Sequence, residues 1–216
     1  MFGLGSVFSI LAVSFAAVKA IPAHNAAGSG LVTRAFPPTS DFTDTWWFWT
    51  TTSAVSGVPP GSSAFRLTFQ PDTSLPVANI SVAISADNAY NLYFNGTLIG
   101  SALDWQTPNI WNISNVPSNT PWVFSILATN YAVSSTDTGI NPAGVIASFV
   151  ASSTPLQRAY TFFLGQNGVV WKGTDSVPEN FFSPTLDDSA WPFAFTEVPY
   201  GGGPWGILPA PVHSHL

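Results

Sequence analysis

The chain predicts an all-β fold, an antiparallel β-sandwich or jelly roll, on three observations. Apolar residues recur at period two over short runs, Gly/Pro/Asn turns separate those runs at close intervals, and no stretch shows a convincing helical period. The clearest run is SADNAYNLYFNGTLIG, residues 85–100. There Tyr90, Leu92 and Phe94 alternate with Asn91 and Tyr93, Asn95-Gly96 turns the chain, and Thr97-Leu98-Ile99 leads back. Asn-Gly accepts the positive φ that a type I′ turn needs at both central positions, so this is a hairpin whose register is fixed locally.

Other elements follow from the same period. Asp41-Phe42-Thr43-Asp44-Thr45 runs into Trp46-Trp47-Phe48-Trp49, which as a strand puts Trp46 and Phe48 on one face and Trp47 and Trp49 on the other. Residues 55–63 are a Gly/Pro/Ser loop, and residues 64–70 (AFRLTFQ) place Phe65, Leu67 and Phe69 inward with Arg66, Thr68 and Gln70 outward. Residues 77–86 carry Ile80, Val82 and Ile84 at period two, residues 110–114 form a short strand, and residues 120–130 alternate Trp122, Phe124, Ile126 and Ala128 before ending on Asn130. Residues 144–151 (GVIASFVA) are an apolar strand, with late strands over 160–164, 169–171 and 191–196.

The ends carry different signals. Residues 2–18 are apolar and lead into Val18-Lys19-Ala20, small residues flanking a secretory cleavage position, although the usual N-terminal positive charge is missing. Residues 1–20 are therefore expected to be a removed signal peptide; an uncleaved anchor is the alternative, and the run barely reaches bilayer-spanning length. Residues 21–40, rich in Ala, Gly, Ser and Pro, are expected to be a flexible arm, residues 41–206 the sandwich domain, and residues 207–216 a frayed tail.

Composition narrows the partners. The chain has 216 residues, of which 46% are hydrophobic and only 7% charged, enough for one domain with a full core. It has no cysteine, so burial alone holds the fold and thiolate chemistry is excluded. Without Lys19, the cations Arg34, Arg66, Arg158 and Lys172 face 11 carboxylates, a balance that repels phosphate backbones and argues against nucleic acid. Sequons at Asn79, Asn95 and Asn112 fit a secreted, extracellular glycoprotein with no membrane insertion after signal cleavage.

Enzyme chemistry finds few of its parts. His24, His213 and His215 all lie in terminal segments, so a Ser nucleophile would have no base in the folded part, and no G-x-S-x-G turn occurs. A glycosidase needs two carboxylates across a cleft, and adjacent Asp187 and Asp188 would diverge in an extended chain. Those two more simply start a turn.

In this order the strands resemble the galactose-binding-domain-like β-sandwich found as an accessory module of glycoside hydrolases such as rhamnosidases and β-galactosidases. The resemblance rests on Trp47-Phe48-Trp49, on Ala64-Phe65-Arg66-Leu67-Thr68-Phe69, on Ser85-Ala86-Asp87 through Tyr93-Phe94-Asn95-Gly96, and on Leu186-Asp187-Asp188-Ser189-Ala190-Trp191 with Tyr200-Gly201 and Pro204-Trp205-Gly206. It departs at residues 165–172, where such modules often show Thr-Asp shortly before Trp-Lys and this chain reads GQNGVVWK. The resemblance implies a jelly roll that binds sugar or supports a catalytic neighbour, often with calcium. With no neighbour in the chain, it implies a secreted, noncatalytic, lectin-like protein whose partner is a glycan or polysaccharide.

Sugar recognition needs an aromatic face for the apolar side of a pyranose and carboxylates or amides for its hydroxyls. Asp87, Asn88, Asp104, Trp105 and Asn130 are the candidates, the first four in loops beside the hairpin and the last ending a strand that reaches the same rim. Each has a structural alternative: Asp87 as a turn cap or a partner of Arg66, Trp105 as a plug over the sandwich end. Calcium at Asp87 and Asn88 is implied by the resemblance alone, since no EF-hand spacing is present. A cell-surface structural or interaction protein that keeps the fold without a sugar site is the alternative function.

Overall fold

The computed structural model describes residues 41–71, 73, 77, 79–134, 139–152, 159–163 and 170–214. The expected signal peptide and arm, residues 1–40, lie outside the described residues.

Twelve strands build two sheets. They are β1 (Trp46–Trp49), β2 (Gly61–Phe69), β3 (Asn79–Asp87), β4 (Ala89–Phe94), β5 (Thr97–Ala102), β6 (Asn109–Ser114), β7 (Trp122–Asn130), β8 (Gly144–Ser152), β9 (Ala159–Phe163), β10 (Lys172–Thr174), β11 (Phe195–Pro199) and β12 (Val212–His213). The larger sheet runs β11-β1-β8-β3-β6-β12, with β9 also paired to β8; the smaller runs β10-β2-β7-β4-β5. All neighbours are antiparallel except β12, which lies parallel to β6. The described residues contain no helix, and hence none long and apolar enough to cross a membrane. This is the expected all-β sandwich.

Alternation in the sequence fills the space between the sheets. Phe65 and Leu67 of β2, Ile80, Val82 and Ile84 of β3, Tyr90, Leu92 and Phe94 of β4, and Trp122, Phe124, Ile126 and Ala128 of β7 share one buried core. Burial on this scale, at about 25 cal/mol per Å² of apolar surface, replaces the disulfides that the chain lacks. The β4–β5 turn has Asn95 at φ 46° and Gly96 at φ 86°, the conformation for which Asn-Gly is suited.

A second apolar layer lies on the outer face of the larger sheet. Trp47, Ala83, Ile110 and Ile146 meet Phe42, Trp205 and Leu208 there, and Trp47 and Trp205 stack with ring centroids 4.2 Å apart. Trp49 departs from the expected alternation: it joins Phe48 in the inner core and packs on Phe65 at 5.4 Å. Trp49 is the last residue of β1, where the strand gives way to the turn that follows.

Other sequence expectations need correction. Arg66 points away from the inner core as its register requires, yet it is only 1% exposed. Residues 181–188 cover it: its guanidinium donates to Asp188 Oδ2 (3.0 Å), Ser125 Oγ (3.2 Å) and the carbonyls of Phe181, Ser183 and Leu186. Lys172 Nζ reaches the other Asp188 oxygen at 3.0 Å. Asp188 is thus an ionic tie, whereas Asp187 caps its turn by accepting from the Ser189 amide (2.9 Å), which holds its carboxyl below the usual range.

Residues 207–216 are not a frayed tail as far as Ser214. Leu208 is buried, Val212 and His213 pair with β6, and the Ser214 amide donates to the Ile110 carbonyl at 3.0 Å. The reason is the outer apolar layer, which needs a lid.

Candidate functional site

One end of the sandwich collects the C-terminal ends of β3 and β7, the start of β4, and residues 57–59 and 139–144. Asn88 joins two of these: its amide donates to the Thr129 carbonyl (2.9 Å), and its Oδ1 accepts from the Tyr131 amide (2.7 Å). Asn141 adds the next loop, exchanging backbone bonds with Val58 and donating from Nδ2 to the Tyr131 carbonyl at 3.0 Å. Tyr131 is therefore held at its backbone on both sides, with its side chain exposed.

Asp87 follows Ala86 of the inner core and so faces the outer layer, where Trp205 Nε1 donates to its Oδ2 at 2.9 Å. The Asp87–Asn88 peptide is cis. Burial pushes the Asp87 carboxyl above the usual range, and the Trp205 bond partly opposes that rise. Gly144, opposite Asp87, leaves room for this pair: a Cβ there would lie 2.8 Å from the Trp205 ring and 2.9 Å from Trp47.

Asn130, at the end of β7, is 1% exposed. Its Nδ2 donates to the Val58 carbonyl at 3.1 Å, while its Oδ1 is buried with no hydrogen-bond partner. A buried acceptor left unpaired costs about 1–3 kcal/mol. Such a group is a place to look for a ligand hydroxyl or a cation.

The remaining two candidates sit in the loop after β5. Asp104 is exposed and occupied by its own turn, accepting from the Gln106 amide and the Thr107 hydroxyl at 2.9 Å each. Trp105 is half-buried against the outer layer that holds Trp205, and its carbonyl accepts from Ser85 Oγ (2.7 Å), two residues before Asp87 on β3. Backbone bonds thus hold Asp87, Asn88 and Asn130 at one end of the sandwich, but Asp87 turns to the outer layer beneath Trp205, whereas Asn130, in step with Ala128 of the inner core, turns to the Val58 carbonyl. Trp105 flanks that rim on the outer face, and Asp104 serves its loop. Arg66, the alternative partner for Asp87, is spent on Asp188.

Tyr131, Asn141 and Trp205 join this end of the sandwich beyond the residues that the sequence points to. Only Trp205, in the Gly203-Pro204-Trp205-Gly206 stretch, carried a signal, an indole in a turn that would otherwise expose it. Of the oxygens expected for calcium, Asp87 Oδ2 already accepts from Trp205 Nε1 and Asn88 Oδ1 from the Tyr131 amide. Among the described residues, no group of three or more His, Cys, Asp or Glu side chains could hold an ion.

Two facing sheets in this strand order make an antiparallel-rich β-sandwich with a rim at one end. Solved structures share the fold. A Pleurotus ostreatus lectin superposes with a TM-score of 0.68 at 24% identity over 81% of this chain and 48% of its own, and the same lectin in complex with GalNAc with 0.67 at 23% over 80% and 48%. A Streptomyces avermitilis α-L-rhamnosidase complexed with L-rhamnose gives 0.65 at 24% over 79% of this chain and 16% of its own. The chain therefore spans about half the length of the lectin and a sixth of the rhamnosidase. No sequence-family profile and no curated protein matches it.

Proposed function

We propose that the chain is a secreted, noncatalytic, lectin-like protein that binds a glycan or polysaccharide at the rim formed by Asp87, Asn88 and Asn130. The observation that carries this reading is a desolvated carboxylate on the same rim as a buried amide oxygen with no partner. Asn130 Oδ1 is the acceptor that a sugar hydroxyl would satisfy, Asp87 already accepting from Trp205 Nε1, and the exposed Tyr131 side chain, next in the chain, is an aromatic surface for a pyranose. The folds of a lectin complexed with GalNAc and of a rhamnosidase complexed with L-rhamnose lend support. Were calcium to take part, Asp87 would be the residue to hold it, and the ion would supply positive charge for sugar hydroxyls.

A second reading, a cell-surface protein without a sugar site, draws on Asp104 and Asn88, whose side-chain oxygens already serve the protein. A glycan array probed with calcium and with chelator decides. Binding that falls at least tenfold in Asp87→Asn and Trp105→Ala, with melting temperatures unchanged, supports the lectin. No binding in either condition, together with a lowered melting temperature for Trp105→Ala, supports the second reading.

A further inference from the structure

The three sequons, Asn79-Ile80-Ser81, Asn95-Gly96-Thr97 and Asn112-Ile113-Ser114, are separate in sequence. In the fold they gather. Asn79 opens β3 and Asp87 ends it, nine residues in all, so the two are roughly 26 Å apart at about 3.3 Å per residue. Asn95 lies in the turn after β4, at the far end from Asn88, and is bonded to Val123 near the start of β7, whose other end is Asn130.

Asn79 and Asn112 belong to one reciprocal arrangement. Across the β3–β6 ladder Asn79 faces Ser114 and Ser81 faces Asn112, so each acceptor stands opposite the hydroxyl residue of the other sequon. Ile80 and Ile113 between them are buried inward, which turns Asn79, Ser81, Asn112 and Ser114 outward on the larger sheet. Asn112 and Ser114 are exposed, Asn79 and Ser81 half-buried.

The amide nitrogens are the free ends. The Val123 N–H donates to the Asn95 side chain at 2.8 Å, which fixes the oxygen as the engaged atom and leaves Nδ2 without a hydrogen-bond partner among the described residues. Beside it an open hollow of about 280 Å³, lined by Thr120, Pro121, Val123 and Pro184, has room for a first N-acetylglucosamine. Asn112 accepts from Ser81 Oγ at 2.7 Å, and its Nδ2 is likewise free among the described residues.

We propose that Asn79, Asn95 and Asn112 carry N-linked glycans, and that they form a single glycan-bearing pole opposite the rim of Asp87, Asn88 and Asn130. Sugars there cover a surface that has few charges of its own, and they are attached at the end of the sandwich away from the rim. The three sites would act as one coat.

The test is secretion of the full chain from a eukaryotic host, with intact mass read before and after peptide-N-glycosidase treatment. Ser81→Ala, Thr97→Ala and Ser114→Ala remove each sequon while keeping its asparagine, and Thr97→Ser keeps the sequon as a control against misfolding. Three separate mass losses, none in Thr97→Ser, and array binding unchanged by deglycosylation are expected. An unshifted mass overturns the proposal whether or not the rim binds sugar, and so does array binding that appears only after deglycosylation.

Discussion

Trp205 donates from its indole nitrogen to Asp87 Oδ2 at 2.9 Å while its ring stacks on Trp47 at 4.2 Å, so a residue from the last part of the domain sets the position of a carboxylate 118 residues earlier. Trp205→Phe keeps a ring over Trp47 and removes the donor. A buried acceptor then loses its partner, at a cost of about 1–3 kcal/mol. We expect a lower melting temperature and glycan binding reduced at least as far as in Asp87→Asn. Unchanged melting and binding would show that the bond is incidental.

Arg66 holds residues 181–188 onto the smaller sheet, and the same segment packs Phe181 and Phe182 against Tyr93. Arg66→Lys keeps the charge but supplies fewer donors and no planar fork. Arg66→Met leaves Asp188 with Lys172 alone and removes the donor from the buried carbonyls of the strap, a loss of about 1–3 kcal/mol for a buried acceptor left unpaired. Chemical denaturation should rank the wild type above Lys and Lys above Met, with proteolysis opening residues 178–191 first. Equal stabilities would refute the strap.

Gly100 lies flat against Trp111: a Cβ there would fall 2.2 Å from Cε2 of the indole. Trp111 cannot easily yield, because its Nε1 donates to the Tyr90 hydroxyl at 2.8 Å in the core. Gly100→Ala should cost at least the ~1–3 kcal/mol typical of an overpacked core. Gly61→Ala, with nothing within 4 Å, is the control and should leave the denaturation midpoint nearly unchanged.

Glu197 is a half-buried carboxylate on β11 with no hydrogen-bond partner for either oxygen among the described residues, and burial raises its pKa from 4.5 to about 7, partly opposed by the nearby Ala54 amide. The folded state therefore holds this proton more tightly than the unfolded one. Its contribution to stability is full below pH 4.5 and is lost as the pH rises to about 7. Asp87, also raised, adds in the same direction. Glu197→Gln should match the wild type near pH 4 and exceed it at pH 8 by about 1 kcal/mol, a figure reduced because the group is only half-buried. For a chain of this size that is ~2–4 °C in melting temperature. A wild-type curve that is flat between those pH values would contradict the assignment.

What could be read from the sequence was local. Tyr90, Leu92 and Phe94 announce their shared face within six residues, and Asn95-Gly96 specifies its own turn. Arg66 could not be read in this way: period two puts it outside the core, and the segment that covers it arrives more than a hundred residues later. β10 (KGT) and β11 (FTEVP) were displaced by a few residues from the runs expected at 169–171 and 191–196, because edge strands with polar sequences show no alternation. The site divides along the same line. Asp87, Asn88 and Asn130 stand at strand ends that alternation located, whereas Trp205 and Tyr131 depend on which loops meet.

The parallel pairing of Val212 and His213 with β6, and the burial of Leu208 beneath Tyr200 and Trp205, have a practical side. Cutting the chain after Gly206 would strip the cover from the indole that grips Asp87, so loss of ligand recognition would follow from a change made far from any ligand. A reporter or purification handle is better joined through a spacer outside residues 207–214 than substituted for them.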